Sequence, residues 1–344
     1  METISVNLKQ RWEELLKEQP QLRIKNAAQQ LGVSEARLLA TKIGEHVVRL
    51  RPEFSSILLE IESLGKVMAL TRNEECVHER KGVYLNGDFS SPFAGLFVGE
   101  DIDLRLFLTA WNKAFAVSEE SHHGTRKSLQ FFTADGLATH KIYLTPDSHE
   151  AAFDALIEKY RDENQSTEET ESSAPQPVLE KKDAEIDIVG FQKEWVNLKD
   201  THDFFGMLKK YGVSRTQALR LAPPGMTKPI SKDKIVDMLT QVAKDKLPIM
   251  VFVGNRGSIQ IHTGKIRKTL WHEQWFNVMD PDFNLHLDMS KIAQTWIVRK
   301  PTTDGVVTAI EVFNEMGEII VQFFGKRKPG IPELNEWRAL IDTY

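Results

Sequence analysis

Two kinds of hydrophobic period alternate along this chain, and they do so twice. Near the start, "QLRIKNAAQQLGVSEARLLA" spaces its apolar residues as one face of a helix, breaks at "GVS", and resumes. The stretch "DTHDFFGMLKKYGVSRTQALRL" does the same about 180 positions on. In each, the Gly (Gly32, Gly212) suits the residue that ends one helix and the Ser (Ser34, Ser214) the N-cap of the next. Ser214 and Gln217 have the spacing of a capping box. The period then falls to two. "TRNEECVHERKGVYLNG" and "VGNRGSIQIHTGKIRKT" each predict a β-hairpin around a polar turn. "EDIDLRLFLTAWNKAFAV" matches "PDFNLHLDMSKIAQTWIV" without a gap, setting Leu104 against Leu285 and Phe115 against Trp296. "KSLQFFTADGLATHKIYL" matches "TAIEVFNEMGEIIVQFFG", two strands about a turn at Gly136 or Gly317. Each series closes on an amphipathic helix, "FDALIEKY" or "WRALIDTY".

Order preserved over so many segments indicates a tandem duplication. Between the copies, residues 161–185 are acidic and rich in Ser, Thr, Gln and Pro. They hold too few large apolar groups to order themselves, and read as a flexible linker. The expected organisation is therefore an N-terminal repeat over 1–160, the linker, and a C-terminal repeat over 186–344. Each repeat should be α+β, with helices first, then antiparallel strands, then a closing helix. There is no βαβ unit, and "GNRGS" and "APPGM" lack the spacing of dinucleotide or phosphate loops.

Composition narrows the function classes. The net charge is −5 with 27% charged residues, which supplies no general field for nucleic acid or anionic membranes. No apolar run approaches the roughly 18–20 residues that a bilayer requires. The N-terminal "METISVNLKQRWEELL" does not read as a signal peptide. Cys76 is the sole cysteine, so intramolecular disulfides, zinc fingers and cysteine-ligated clusters are excluded, and a reducing, cytoplasmic setting is expected.

Candidate chemistry is sparse. His122-His123 could bind a metal only on a loop, because neighbours on a strand face opposite ways. His262, His272 and His286 are isolated and read as surface or satisfied core residues. "AAQQLGVSEARLLATKIG" has the form of a DNA-binding helix-turn-helix, but Pro223-Pro224 cut its second copy short. His202 differs from these. Asp200 or Thr201 can cap the helix it opens, and the positive helix end there disfavours imidazolium. Phe204, Phe205, Met207 and Leu208 follow it. A neutral imidazole is what iron ligation requires, and a flat cofactor would want such apolar company. On the residues alone, a core or capping histidine outweighs a ligand. The matching position in the first copy is Leu22.

Several long stretches carry a resemblance: "RIKNAAQQLGVSEARLLA", "SHHGTRKSLQFFTADGLATHKIYL", "DTHDFFGMLKKYGVSRTQALRL", "VFVGNRGSIQIHTG" and "FFGKRKPG". Over essentially its whole length the chain resembles the HemS-like cytoplasmic haem-trafficking and hemin-degrading proteins of Gram-negative bacteria. The resemblance implies haem in a cleft between the two halves, with His202 as the proximal iron ligand. It implies Arg105 and Phe107 on the distal side, Arg105 being the residue nearest any chemistry. Phe252 would form a second aromatic wall, and Lys300, Gln322 and Arg327 would receive the propionates. An arginine stays protonated, so it donates hydrogen bonds rather than ligating iron. Arg105 and Phe107 would share a side if both lie on one strand. Where some relatives carry Tyr, this chain has Phe324, so one propionate contact would be missing.

The leading expectation is oxidative haem degradation that releases iron. It would need an external electron donor and O2, because no flavin or nicotinamide motif is present. The alternative is a carrier that accepts haem from an inner-membrane importer and delivers it to a separate haem oxygenase. A haem-responsive DNA-binding protein is third. No DNA partner and no membrane insertion are expected.

Overall fold

The computed structural model describes residues 2–121, 124–176, 180–328 and 330–344. His122 and His123 lie outside the described residues. The chain is α+β with antiparallel strand pairing throughout its ladders, and it divides into two compact units. Unit 1 comprises residues 1–72, 79–175 and 255–260; unit 2 comprises 73–78, 176–254 and 261–344. Each unit is thus completed by a six-residue piece belonging, in sequence, to the other repeat.

Unit 1 carries the strand order Val47–Leu50, Lys113–Ser121, Gly124–Phe132, Ala138–Ser148, Gly65–Arg72. It also holds a smaller ribbon, Asp103–Leu106, Gly95–Val98, Gly87–Asp88. Unit 2 repeats the arrangement with Thr227–Pro229, Gln294–Thr302, Gly305–Phe313, Ile319–Gly325, Ile249–Gly254, and the ribbon Phe283–Asp288, Trp275–Met279, Thr269–His272. The strands Cys76–Gly82 and Ser258–Gly264 are divided between the units.

The turns that carry the exchanged pieces are built alike. Asn73 N–H donates to the Cys76 carbonyl (3.0 Å), and Asn255 N–H to that of Ser258 (2.9 Å). The Asn73 side-chain oxygen accepts from Glu75 and Cys76 N–H, and the Asn255 oxygen from Gly257 and Ser258 N–H. The Asn73 amide donates to the Gly254 and Ile320 carbonyls within unit 2, and the Asn255 amide to those of Arg72 and Thr139 within unit 1. Two polar tips thereby satisfy buried backbone that would otherwise lack partners.

The helix–"GVS"–helix units form as expected: Ile24–Leu31 and Glu35–Ala40 in unit 1, Asp203–Tyr211 and Arg215–Arg220 in unit 2. Gly32 and Gly212 sit at φ 68° and 64°, the left-handed conformation that a side chain would disfavour. Ser34 Oγ accepts from Arg37 N–H and Ser214 Oγ from Gln217 N–H, both at 3.1 Å. The capping box is only half made. The Gln217 amide turns instead to the Lys181 carbonyl and the Asp183 carboxylate. The segment expected to be a free linker is therefore tied down at many points. In unit 1, Arg49 binds Gln165 and Glu169, and Glu171 bonds Ser34. In unit 2, Glu180 bonds Ser214. Its polar groups find partners where its apolar content could not order it.

The helix Glu35–Ala40 is largely buried, with Lys42 paired to Glu13, so it offers no free face for a DNA groove. One face of the unit 2 sheet packs Val251, Ile310, Val312 and Phe323 against the helix Asp233–Asp245 and Trp337. The other receives the helices Ile188–Val196 and Asp203–Tyr211 through Trp195, Phe204, Leu208, Val298 and Phe313. That second face positions the site.

Candidate haem-ligating site

His202 stands at the N-terminus of the helix Asp203–Tyr211, its side chain 87% exposed. The Asp200 carboxylate makes two bonds to it: it accepts from His202 N–H (2.8 Å) and lies 2.6 Å from Nδ1. The first of these chiefly holds the Asp200 carboxyl below the ordinary carboxylate range. A carboxylate cannot donate, so the ring donates from Nδ1, and Nε2 is left out of this contact. Neither Asp200 nor Thr201 caps the helix: His202 itself is the N-cap, without a side-chain cap bond, and the Asp200 carboxylate closes the turn just before it. Phe205, on the next turn, is 74% exposed, while Phe204 is buried edge-on against Trp195 at 4.6 Å. Leu22, the counterpart of His202, packs against the cluster of Leu8 and Trp12 from the first helix, Glu2–Glu18, and Leu38 from the helix Glu35–Ala40. This answers why one copy has leucine and the other imidazole: position 22 is packed over and position 202 is open.

Period-two alternation puts Phe252, Gln322 and Glu311 on one sheet face, since Phe252 pairs with Gln322 and Gln322 with Glu311 across adjacent strands. Phe324, one pair further, meets Phe252 with ring centroids 4.9 Å apart and planes at 62°. Both rings are half-buried and form an aromatic surface. Arg327, two residues past the strand, donates from Nη2 to Thr201 Oγ1 at 3.4 Å, beside His202.

Lys300 departs from expectation. It is neither a cation at a mouth nor a solvated surface charge, being 4% exposed beneath the helix with Nζ 4.4 Å from the Phe204 ring. Its ammonium donates to Glu311 Oε1 (2.8 Å), which also accepts from Gln322 (3.1 Å) and Arg215 (2.6 Å). A second Arg215 bond, Nε to Oε2 at 2.9 Å, makes the pair bidentate. Burial opposes ionisation of Glu311, but Arg215 and Lys300 prevail and hold its carboxyl down to about 2. Burial and the neighbouring Arg215 pull Lys300 down to about 8.

Arg215 and Glu311 were missed in the sequence, though one signal was there. Arg215 follows the capping Ser214 as Glu35 follows Ser34, so the two copies carry opposite charges at one position. In unit 1, Glu35 accepts from Arg72 and Lys141 and is held near 2 against its burial. Both copies bury a cluster of one carboxylate and two cations here, but the residue after the capping Ser supplies the anion in unit 1 and a cation in unit 2.

Arg105 and Phe107 belong to unit 1. Arg105, on the ribbon strand Asp103–Leu106, is paired with Asp103 and also donates to the Leu104 carbonyl at 3.0 Å. Burial pushes the Asp103 carboxyl up, against the pull of Arg105. Phe107 lies one residue beyond the strand, at φ −97° and ψ 77°, with its N–H on the Gly257 carbonyl. The two therefore do not share one regular strand face. The isolated histidines His262, His272 and His286 are built into packing or the surface. His262 stacks on Phe283 at 3.7 Å, His78 is fully buried beside the same ring, and His286 bonds Asn277. Among the described residues no group of three or more His, Cys, Asp or Glu side chains could hold a metal ion. No helix of the described residues is long and apolar enough to cross a membrane.

The haemin-degrading HemS.ChuX domain matches twice, over residues 32–160 and 212–344. The chain belongs to the haemin-degrading HemS family. The double match is the tandem duplication seen in the two units. The hemin transport protein HmuS of Yersinia pestis is 37% identical over 98% of this chain and 97% of its own length. Among solved structures, holo-PhuS, a heme-binding protein from Pseudomonas aeruginosa, superposes with a TM-score of 0.97 at 46% identity, covering 99% of both chains. ChuS, an E. coli heme oxygenase, gives 0.88 at 34% identity, over 98% of this chain and 99% of its own. The second match begins ten residues after His202, so the Asp200–His202 pair lies just outside it.

Proposed function

We propose that this protein binds haem in the cytoplasm through His202 and serves haem and iron utilisation, opening the porphyrin oxidatively to release iron. The observation that carries the reading is the Asp200–His202 pair. A carboxylate on Nδ1 fixes the tautomer that leaves Nε2 as a ligand and raises its basicity, the usual second contact of a metal-ligating imidazole. The neighbouring surface fits the rest of the molecule. Phe252 and Phe324 offer rings to an apolar macrocycle, and Arg327 and Gln322 offer donors to its carboxylates. Arg105 is assigned to the distal side as a hydrogen-bond donor, Phe107 as its apolar neighbour, and Lys300 as a buried charge under the propionate region. Bound haem supplies the redox chemistry, with O2 and an external electron donor. The relatives' names support this reading, one being a heme oxygenase and another a hemin transport protein.

A second reading, a carrier that takes haem from an importer and passes it to a separate oxygenase, is favoured by one observation. His202 is so exposed that its bond to iron could exchange readily. One experiment divides the two. The haem complex is incubated in air with a reductant and catalase. Loss of the Soret band with a defined tetrapyrrole product supports degradation; an intact band that transfers to an apo-oxygenase supports carriage. His202→Ala should lose or shift the Soret band, and an unchanged spectrum would remove His202 as ligand.

A further inference from the structure

The segment that presents Arg327 is held by a buried carboxylate for which haem binding has no direct use. The strand Ile319–Gly325 ends opposite Thr308, leaving the Thr308 N–H and carbonyl on that side without a strand partner. Two side chains replace the strand. Glu333 accepts the Thr308 N–H on both carboxylate oxygens, at 3.1 and 3.0 Å, and Trp337 Nε1 donates to the Thr308 carbonyl at 2.9 Å. The Trp337 ring lies directly on Gly325, where a Cβ would meet it at 2.7 Å. Between these anchors the chain leaves the sheet at Lys326, whose N–H reaches the Pro248 carbonyl, and presents Arg327. It is pinned again where Gly330 N–H donates to Asp304. Glu333 is only 5% exposed, with Arg338 of the closing helix at 3.9 Å and Arg327 acting on it through space.

We propose that Glu333 is the positioning residue for Arg327: it seats the loop that carries the guanidinium, and its charge sets how far that guanidinium is available to an anionic ligand group. This rests on the haem-binding reading, in which Arg327 receives a propionate. Burial pushes the Glu333 carboxyl up to about 7, against the Thr308 N–H and the two arginines. Below that pH the neutral acid still accepts from Thr308 and leaves the Arg327 charge unopposed. Above it the carboxylate competes with a propionate for Arg327. Binding of an anion must therefore be linked to proton retention by Glu333, and affinity falls as pH rises through this range.

The test measures affinity for haem and for haem dimethyl ester, which lacks free carboxylates, at pH 6 and pH 8.5. It uses the wild type, Glu333→Gln, Glu333→Ala, Arg327→Ala and the Arg327→Ala/Glu333→Ala double variant. Wild type should bind haem more tightly at pH 6 than the ester does, with about a fivefold pH dependence beyond that of the ester. Glu333→Gln keeps an acceptor for Thr308 but cannot ionise, and should abolish the excess pH dependence. At pH 6, where no Glu333 charge competes, Glu333→Ala should weaken haem with Arg327 present and not in Arg327→Ala. A Glu333→Gln profile identical to wild type, or additive effects in the cycle, overturns the proposal. Should Glu333→Ala fail to fold, the Glu333→Gln profile decides alone. If Arg327→Ala leaves haem affinity unchanged, it is the propionate reading of Arg327 that has failed.

Discussion

Replacing Glu311 by Gln probes the least visible part of the site. The carboxylate is fully buried and accepts from Arg215, Lys300 and Gln322. The drop from an ordinary 4.5 to about 2 corresponds to about 3 kcal/mol of preference for the charged form in the folded state. A depressed carboxylate stabilises the fold fully above its unfolded value, and this is lost as pH falls through about 2. Lys300 works the other way. Its folded value, about 8, lies below the ordinary 10.5, so the unfolded chain holds the extra proton and stability rises with pH between those values. Without Glu311, two buried cations face each other and Lys300 sheds its proton at still lower pH. Glu311→Gln should lose about 3–5 kcal/mol at pH 6, the cost of breaking a buried pair from one side. The deficit should shrink at pH 9, where Lys300 is largely neutral in wild type as well. Urea unfolding at both pH values measures this. A deficit under about 1 kcal/mol at pH 6, or one equal at both pH values, would refute the argument that charge rather than shape holds the cluster.

Three further outcomes follow from the same geometry. Glu35→Gln should destabilise by a similar amount through the unit 1 cluster, read by urea unfolding near pH 7, because Arg72 and Lys141 lose their shared acceptor. Asp200→Asn should weaken haem ligation roughly 10-fold with a shifted Soret band while thermal melting stays put, since the pair is exposed. Gly212→Ala should cost about 1–2 kcal/mol in chemical unfolding, for its φ of 64° penalises any Cβ.

Much of the frame was legible in the residues. The repeated "GVS", the alternating hairpins and the gapless pairing of Leu104 with Leu285 each rest on local periods, and local periods survive into the fold. His202 was legible as unusual because its counterpart is leucine. Less was legible for Lys300. A lysine in a strand announces its position on the pleat, not what covers it, and the covering helix comes from about a hundred residues earlier. Arg215 and Glu311 were hidden for the same reason. Each looks like an ordinary surface charge until the helix Arg215–Arg220 is laid beside the strand that bears Glu311. Phe107 was misplaced by a single residue, because where a strand stops depends on which backbone receives its next N–H.

By itself, then, the sequence determined that there are two copies of an α+β unit, where their helices cap and which copy bears the imidazole. These follow from side-chain period, glycine and serine at helix ends, and residue identity, all of which act over a few positions. Tertiary structure alone decided that residues 73–78 and 255–260 are exchanged between the units, that Lys300 is buried on Glu311, and that Glu333 holds the segment bearing Arg327. Those outcomes depend on which distant backbone and which opposite charge satisfy a buried polar group. That choice is made only when the strands are brought into register.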